Sequence, residues 1–526
     1  MQSEREFFQT TKASSLNHFG DIPLPSAVSD PGFPVKTPIG PLNRFGAPAP
    51  LLTLRPDRRP AGSGDKLLPS LEAAFDRFDI GDGHVLSFHH HYRNGDRLMN
   101  AVIALAQSRG IKGLTLCPSS IFPVHGLLVS ALRDGTITGI VTDYMRGPLA
   151  DAIMEGDLAQ TALLQTHGGR ARALSAGQID IDVALVAAPI AHVDGTTTGR
   201  AGALACGPLG YAAVDARYAK NTVVLAHEVV CDRLPFQEIP AKFVDAVVRF
   251  DHPGDRSGIQ SGSTVPSETP AADAIGHMTA RAIEAAGALA NGMSLQSGAG
   301  GFSLGAVPII GALMAQNGVR GSFLSGGITA AHTRLLEQGQ FDAIHDVQCF
   351  DLAAVRSSQV NPAHHAMSAI DYASPLNPNA RVNALSVMLL GAAEVDLDFN
   401  VNVVTGADGS LLGGPGGHPD TAAGAKLSIV TTALTGGGFA KIVPRVRSLT
   451  TPGQDVDMVI TERGIAVNAR RAELGPALKR AGLPVMSIEA LAAKSAEAAH
   501  RQAPPRPPVP PRVLIEHRNG TVLDWV

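Results

Sequence analysis

Two segments of the chain, LSFHHHYRNGDRLMNAVIALAQSRGIKGLTL at 86–116 and MSLQSGAGGFSLGAVPIIGALMAQNGVRGSFL at 293–324, follow one plan. Each passes from a short β-prone stretch through a turn into a helical pattern, then through a Gly-[Ile/Val]-[Lys/Arg]-Gly turn into a second β-prone stretch. Further on, GQID at 177–180 is answered by GQFD at 339–342, and each leads into a hydrophobic run. A repeated strand–helix–strand unit with short turns predicts right-handed crossovers and a parallel sheet in each copy. The fold class that follows is α/β, with two open, mainly parallel-sheet domains over 65–255 and 270–500. A chain of 526 residues is long enough to bury two large cores. The polar, turn-rich stretch DHPGDRSGIQSGSTVPSETP at 251–270 marks their boundary.

The ends read differently. Residues 1–64 are a Pro-rich N-terminal arm, extended and suited to lie over a domain or a partner subunit. Residues 501–526 hold a second Pro-rich spacer, RQAPPRPPVPPR, and then VLIEHRNGTVLDWV, where Asn519-Gly520 between β-prone runs predicts a terminal hairpin. A formal net charge of −4 gives no electrostatic reason to expect nucleic acid or an anionic membrane as partner. The four cysteines are widely spaced with no CxxC pair, which points to reduced thiols in a cytoplasm rather than disulfides or zinc. The acidic start, MQSEREFFQTTK, has no secretory character, and no apolar run reaches membrane-spanning length. The expected location is cytoplasmic.

In an open α/β sheet ligands bind beyond the carboxyl ends of the strands. That places His89–Arg93, Ser297–Gly301 and the segments near Ser119 and Gly326 where chemistry belongs. The GAGG run, Gly298 to Gly301, matches neither the GxGxxG dinucleotide fingerprint nor a GxxxxGK[ST] phosphate loop. Its amides at a helix start suit a developing oxyanion, and pattern alone weighs that evenly against a plain strand–helix turn. A second glycine cluster, LLGGPGGHPDTAAGAKLSIV at 411–430, delivers Gly416, Gly417 and His418. In GAAEVDLDFNVNV, Glu394, Asp396 and Asp398 alternate with apolar residues and share one face of a strand, which a solvated face explains equally well. A buried-looking strand, VDMVI, ends in Thr461-Glu462-Arg463-Gly464, where the carboxylate and guanidinium suit either substrate polarisation or a structural ion pair. His89, His90 and His91 are consecutive, so alternating strand geometry keeps them from converging on a metal. No metal site is expected, and no GxSxG elbow or Ser-His-Asp arrangement can be assembled.

Taken together, SFHHHYRNGD, THGGR, GQIDIDVA, CGPLGYA, SLQSGAGGFSL, GGITA, DVQCFD, DFNVNV, GGHPDTAAGAKLSI, TPGQDVD and GIAVN resemble, in order over roughly 65–526, the α subunit of bacterial citrate lyase. The resemblance implies two CoA-transferase-type domains and a citrate CoA-transferase activity. In that reaction the acetyl group on an acyl-carrier thiol is exchanged for citrate, giving citryl-thioester and acetate. It implies a β subunit that cleaves citryl-thioester to oxaloacetate and regenerates acetyl-thioester. It also implies a γ acyl carrier protein whose CoA-derived prosthetic group is the substrate, and an oligomeric complex. No cofactor bound to this chain is implied. The wider acetyl-CoA hydrolase and transferase relatives carry a nucleophilic glutamate after the strand that follows the GxGG helix. The equivalent stretch here is GSFLSGGI at 321–328, with no carboxylate. A glutamyl-thioester intermediate is therefore not expected, and citrate would attack the acetyl thioester within a ternary complex through a mixed anhydride. Without a side-chain nucleophile, the hypothesised roles put Gly298, Gly300 and Gly301 at the thioester oxyanion and Gly416 and Gly417 on the opposite side. His418 and Arg463 go to citrate carboxylates, Glu462 to orienting the site, and Glu394 to the substrate side. Alternatives of the same chemistry are the α subunits of citramalate lyase or malonate decarboxylase. From another class comes a non-catalytic subunit that only docks the carrier.

Overall fold

The computed structural model describes residues 37–38, 43–44, 52–58, 60–62, 64–260, 264–506 and 510–526. Most of the Pro-rich arm, and residues 507–509 of the spacer, lie outside the described residues. Two large sheets organise the chain, one of twelve strands and one of nine. Nearly all neighbouring strands in both are parallel, so the molecule is mixed α/β with mainly parallel sheets.

In the first sheet Val85–Phe88 sits centrally between Leu114–Pro118 and Val183–His192. The helix Leu98–Ser108 makes the crossover from Val85–Phe88 to Leu114–Pro118. In the second, Ser294–Ser297 lies between Gly321–Ile328 and Val387–Leu390, and the helix Gly301–Gln316 makes the crossover. The central strands read as continuous apolar runs because both faces of a parallel sheet are covered. Nine of the ten residues of Val183–His192, from Val183 to Ala191, are buried.

The chain's C-terminus returns to the first sheet. Val513–Glu516 pairs in parallel with Ala162–Leu164, and Thr521–Trp525 adds antiparallel beside it. Arg172 and Glu516 form a fully buried ion pair of 2.6 Å that fastens this addition, and Gln165 donates to the same carboxylate. The described part of the arm crosses the first half, where the Arg55 amide donates to the Ser175 carbonyl at 2.8 Å and Arg58 pairs with Asp245 at 2.6 Å.

Two buried carboxylates fix the elements that carry the site. Asp215, on the helix Gly210–Tyr218, takes both terminal nitrogens of Arg170 and also Nε2 of His89 at 2.9 Å. Arg170 in turn donates to the Cys117 carbonyl at 2.9 Å, which ties the helix His167–Ser175 to the end of a central strand. Asp420, on the helix His418–Gly424 of the second half, accepts from Thr166 Oγ1 at 3.0 Å and from the Gly168 amide at 2.8 Å. Arg518 of the C-terminal hairpin reaches the same carboxylate at 3.2 Å.

Removing one member of a buried charged cluster leaves its partners desolvated and unpaired, a loss of about 3–5 kcal/mol. Asp420→Ala should lower thermal stability by that order, whereas Asp273→Ala, in an exposed pair with His277, should stay below about 1 kcal/mol. Melting curves of the two variants against wild type check this.

Candidate functional site

A cavity of about 710 Å³ opens where the carboxyl ends of strands from both halves face each other. From the first half come His90, Arg93, Phe122, Tyr144, Arg146, His167 and Tyr211. From the second come Gln296 to Gly300, Gln348, Phe350, Gly391, the turn Gly414–His418 and Lys441. The halves also bond across it: Gln348 Nε2 donates to the His90 carbonyl at 2.8 Å, and the His167 amide donates to the Gly416 carbonyl at 2.9 Å. A second cavity, of about 760 Å³, lies elsewhere against Arg200, Glu238, Asn361 and His365 and holds neither glycine turn.

The GAGG turn forms one wall. Gly300 caps the sixteen-residue helix Gly301–Gln316, whose first-turn amides have no intrahelical acceptor. The Gly300 and Gly301 amides have no protein acceptor among the described residues, and the helix start favours negative charge. The Gly298 amide is already used, donating to the Leu389 carbonyl at 2.7 Å. Gly301 lies just behind the lining, where a side chain would meet Ser267.

Arg93 supplies the fixed cation. Its backbone takes φ +53, a left-handed conformation uncommon outside glycine, which turns the side chain between Phe122 of one half and Phe350 of the other. The guanidinium lies 5.2 Å and 4.6 Å from those rings and is 6% exposed. Burial pulls its pKa to about 10, so it remains charged at neutral pH. Lys441 is the second cation; burial pulls it down to about 8, against the charges of Glu462 and Glu394.

The other expected residues separate. Gly416, at φ +51, and Gly417 line the cavity; a side chain at Gly417 would strike the Tyr372 hydroxyl. The Gly416 amide is taken by the Asp143 carbonyl at 3.2 Å, so it is not available as a cap for substrate. His418 lines the cavity too, but Nε2 bonds the Gly391 carbonyl at 2.8 Å and Nδ1 bonds Thr451 Oγ1 at 2.7 Å. Nε2 must carry the proton to meet a carbonyl, and burial holds the ring neutral with a pKa near 4. Neither nitrogen is left for a citrate carboxylate. Glu462 turns to the Leu434 amide, at 3.2 Å, and Glu394 is buried against Asn402 and the Arg447 amide. Both stand outside the lining, and their charges oppose the lowering of the Lys441 pKa. Arg463 is exposed on the turn between Met458–Thr461 and Gly464–Val467, away from the lining.

Ser297 is not an activated nucleophile of the hydrolase kind. Ser297 Oγ lies 3.0 Å from His332 Nε2, but the Thr329 amide donates to Nδ1, which puts the ring proton on Nε2, facing the serine. The histidine donates and cannot accept the serine's proton. Among the described residues of the lining the one carboxylate is Asp408, exposed at the rim and held by Ser410.

The family model for citrate lyase, alpha subunit (CitF) matches residues 64–526. The chain belongs to the citrate lyase α-subunit family. Family membership carries the enzyme class, the citrate CoA-transferase component of a multi-subunit lyase. The chain is 38% identical over 465 residues to the citrate lyase alpha chain of Escherichia coli K12, covering 88% of this chain and 90% of that one. It is 37% identical over 465 residues to the Klebsiella pneumoniae alpha chain, covering 88% and 91%. The structure of the α subunit of citrate lyase from Streptococcus mutans, solved in complex with citrate, superimposes with a TM-score of 0.88 at 37% identity, covering 91% of this chain and 95% of that one.

Among the described residues no helix is long and apolar enough to cross a membrane. Sequence reasoning missed His167, Tyr211 and Gln348 as cavity residues and gave no role to His90 or Arg93. The available signals were the strand-end rule, which marked His89–Arg93, and the THGGR run around His167.

Gly300 has ordinary extended angles, φ −74 and ψ 144, and an added Cβ would touch only the Gly391 Cα, at 3.7 Å. Gly300→Phe should therefore keep the melting temperature while acyl transfer falls about 10²–10³-fold, the scale of losing an oxyanion donor. A coupled transfer assay beside a melting curve reads both.

Proposed function

We propose that the chain moves acyl groups between a carrier thiol and citrate, converting acetyl-thioester and citrate into citryl-thioester and acetate. The observation that carries this reading is one cavity between the halves holding free helix-start amides and a buried arginine, with no glutamate or cysteine in its lining among the described residues. A covalent glutamyl-enzyme has no candidate side chain there, and the strand Gly321–Ile328 that follows the GAGG helix carries no carboxylate. Both substrates then share the cavity. A citrate carboxylate, oriented by Arg93 with Arg146 near the rim, attacks the acetyl carbonyl. The Gly300 and Gly301 amides receive the oxyanion, and the C–S bond breaks to give thiolate and a mixed anhydride. The thiolate attacks the citryl carbonyl, the C–O bond breaks, and acetate leaves.

The neighbour solved with citrate supports citrate as the acid. The thioester is the CoA-derived prosthetic group of a γ carrier subunit, and a β subunit consumes citryl-thioester to release oxaloacetate and restore acetyl-thioester.

Offering purified chain acetyl-CoA with citrate, citramalate or malonate, and following acyl-CoA products by mass spectrometry, tests the reading. Citryl-CoA and acetate should form with citrate alone; preference for another diacid changes the substrate, and binding of carrier without any exchange makes the chain a docking subunit. Arg93→Met should raise the citrate KM roughly 10- to 150-fold, equivalent to losing a charged hydrogen bond of about 1.5–3 kcal/mol. Steady-state kinetics at varied citrate measure it.

A further inference from the structure

Two histidines face the cavity beside Tyr211, with ring centroids 5.0 Å (His90) and 4.8 Å (His167) from the tyrosine and 6.2 Å from each other. Their partners differ in charge. His90 Nδ1 meets the Ser119 hydroxyl, and burial together with the neighbouring His167, His91 and Arg93 holds His90 neutral. His167 Nδ1 meets the Asp143 carboxylate at 2.9 Å. Asp143 is fully buried, and its other oxygen, Oδ1, has no hydrogen-bond partner among the described residues. Burial raises this carboxyl to about 6, and the bond from His167 opposes that rise.

The backbone holds this pair toward the cavity. The His167 amide bonds the Gly416 carbonyl, and the Gly416 amide bonds the carbonyl of Asp143, so one glycine braces both partners. Gly416 also leaves Nε2 of His167 uncovered: a side chain there would begin 3.4 Å from it. Among the described residues Nε2 has no protein hydrogen bond, although the ring is mostly buried, its side chain 16% exposed. The geometry is a carboxylate-oriented imidazole with its second nitrogen turned into the reaction space.

We propose that His167, oriented by Asp143, carries the proton of the sulfur during acyl transfer. This rests on the transferase reading above. As the citrate carboxylate oxygen bonds to the acetyl carbon and the C–S bond breaks, the electron pair leaves on sulfur and Nε2–H of the imidazolium delivers its proton there. The thiol and a neutral imidazole result, with Nδ1–H still on Asp143. In the second half the imidazole takes the proton back as sulfur bonds to the citryl carbon, and the anhydride C–O pair leaves on acetate. Protons and charge balance over the cycle, and no co-reactant is needed. Asp143 is a positioning residue and His167 the catalytic one.

His167→Asn is the decisive variant, because its amide keeps a donor near the Nδ1 position for Asp143 while Nε2 is removed. With acetyl-CoA and citrate, its kcat for citryl-CoA formation should fall about 10²–10⁴-fold, with citrate affinity by calorimetry within about threefold of wild type. Asp143→Asn, which keeps the shape, should lower kcat without raising the citrate KM, and it carries the test should the first variant fail to fold. A His167→Asn enzyme within about tenfold of wild type in kcat overturns the proposal, as does a loss of citrate affinity that accounts for the loss of rate. A folded wild-type chain that forms no citryl-CoA overturns the transferase reading itself, and this proposal with it.

Discussion

A carboxylate shut away from water has to be matched on its oxygens, and the clamp at Asp420 joins three separate parts of the chain. Thr166 and Gly168 belong to the first half, Arg518 belongs to the C-terminal hairpin, and Asp420 itself starts a helix of the second half. Those two helix starts are thereby set against each other. The helix beginning at His167 faces the Gly416 turn, and the cavity between the halves takes its shape from that register. The returning C-terminal strands make the same clamp covalently continuous with the first sheet, since Val513–Glu516 is one of its parallel members.

The electrostatics of the cavity follow from how each charge is compensated. Arg93 stays positive at neutral pH because burial lowers its pKa only to about 10, with aromatic rings from both halves covering the guanidinium. His418 and His332 are neutral because burial penalises their charged form and because each has its protein partners already. Against this background the free amides of the GAGG turn and the imidazole over Asp143 face the cavity together with the cationic side chains of Arg93 and Arg146. The lining supplies positioned charge and a proton-bearing ring rather than a covalent nucleophile, which is the set an exchange between two bound acyl acceptors requires.

Much of the scaffold was legible in the sequence because it is encoded locally. The α/β class and the parallel sheets follow from alternating short apolar runs and helical periods, and the helix start at GAGG follows from small residues meeting an apolar 3.6-residue pattern. What was not legible depends on long-range closure. Arg93 is a site residue only because a left-handed backbone aims it at Phe350, which the second sheet delivers. Asp143 and His167 pair across two different strand ends, and no spacing rule joins them. Arg463 went the other way: Thr461 ends a strand that turns straight back antiparallel into Gly464–Val467, so the residue sits on an outer hairpin instead of a strand–helix loop. His418 reads as a ligand until its two nitrogens are followed to Thr451 and Gly391.

The central claim is that both acyl acceptors occupy the cavity together and that no acyl-enzyme separates the halves of the reaction. Initial rates with acetyl-CoA and citrate varied against each other test it most directly. A shared complex predicts double-reciprocal lines that intersect. Parallel lines across the full range of both substrates would mean that acetate leaves before citrate arrives, and would contradict the account.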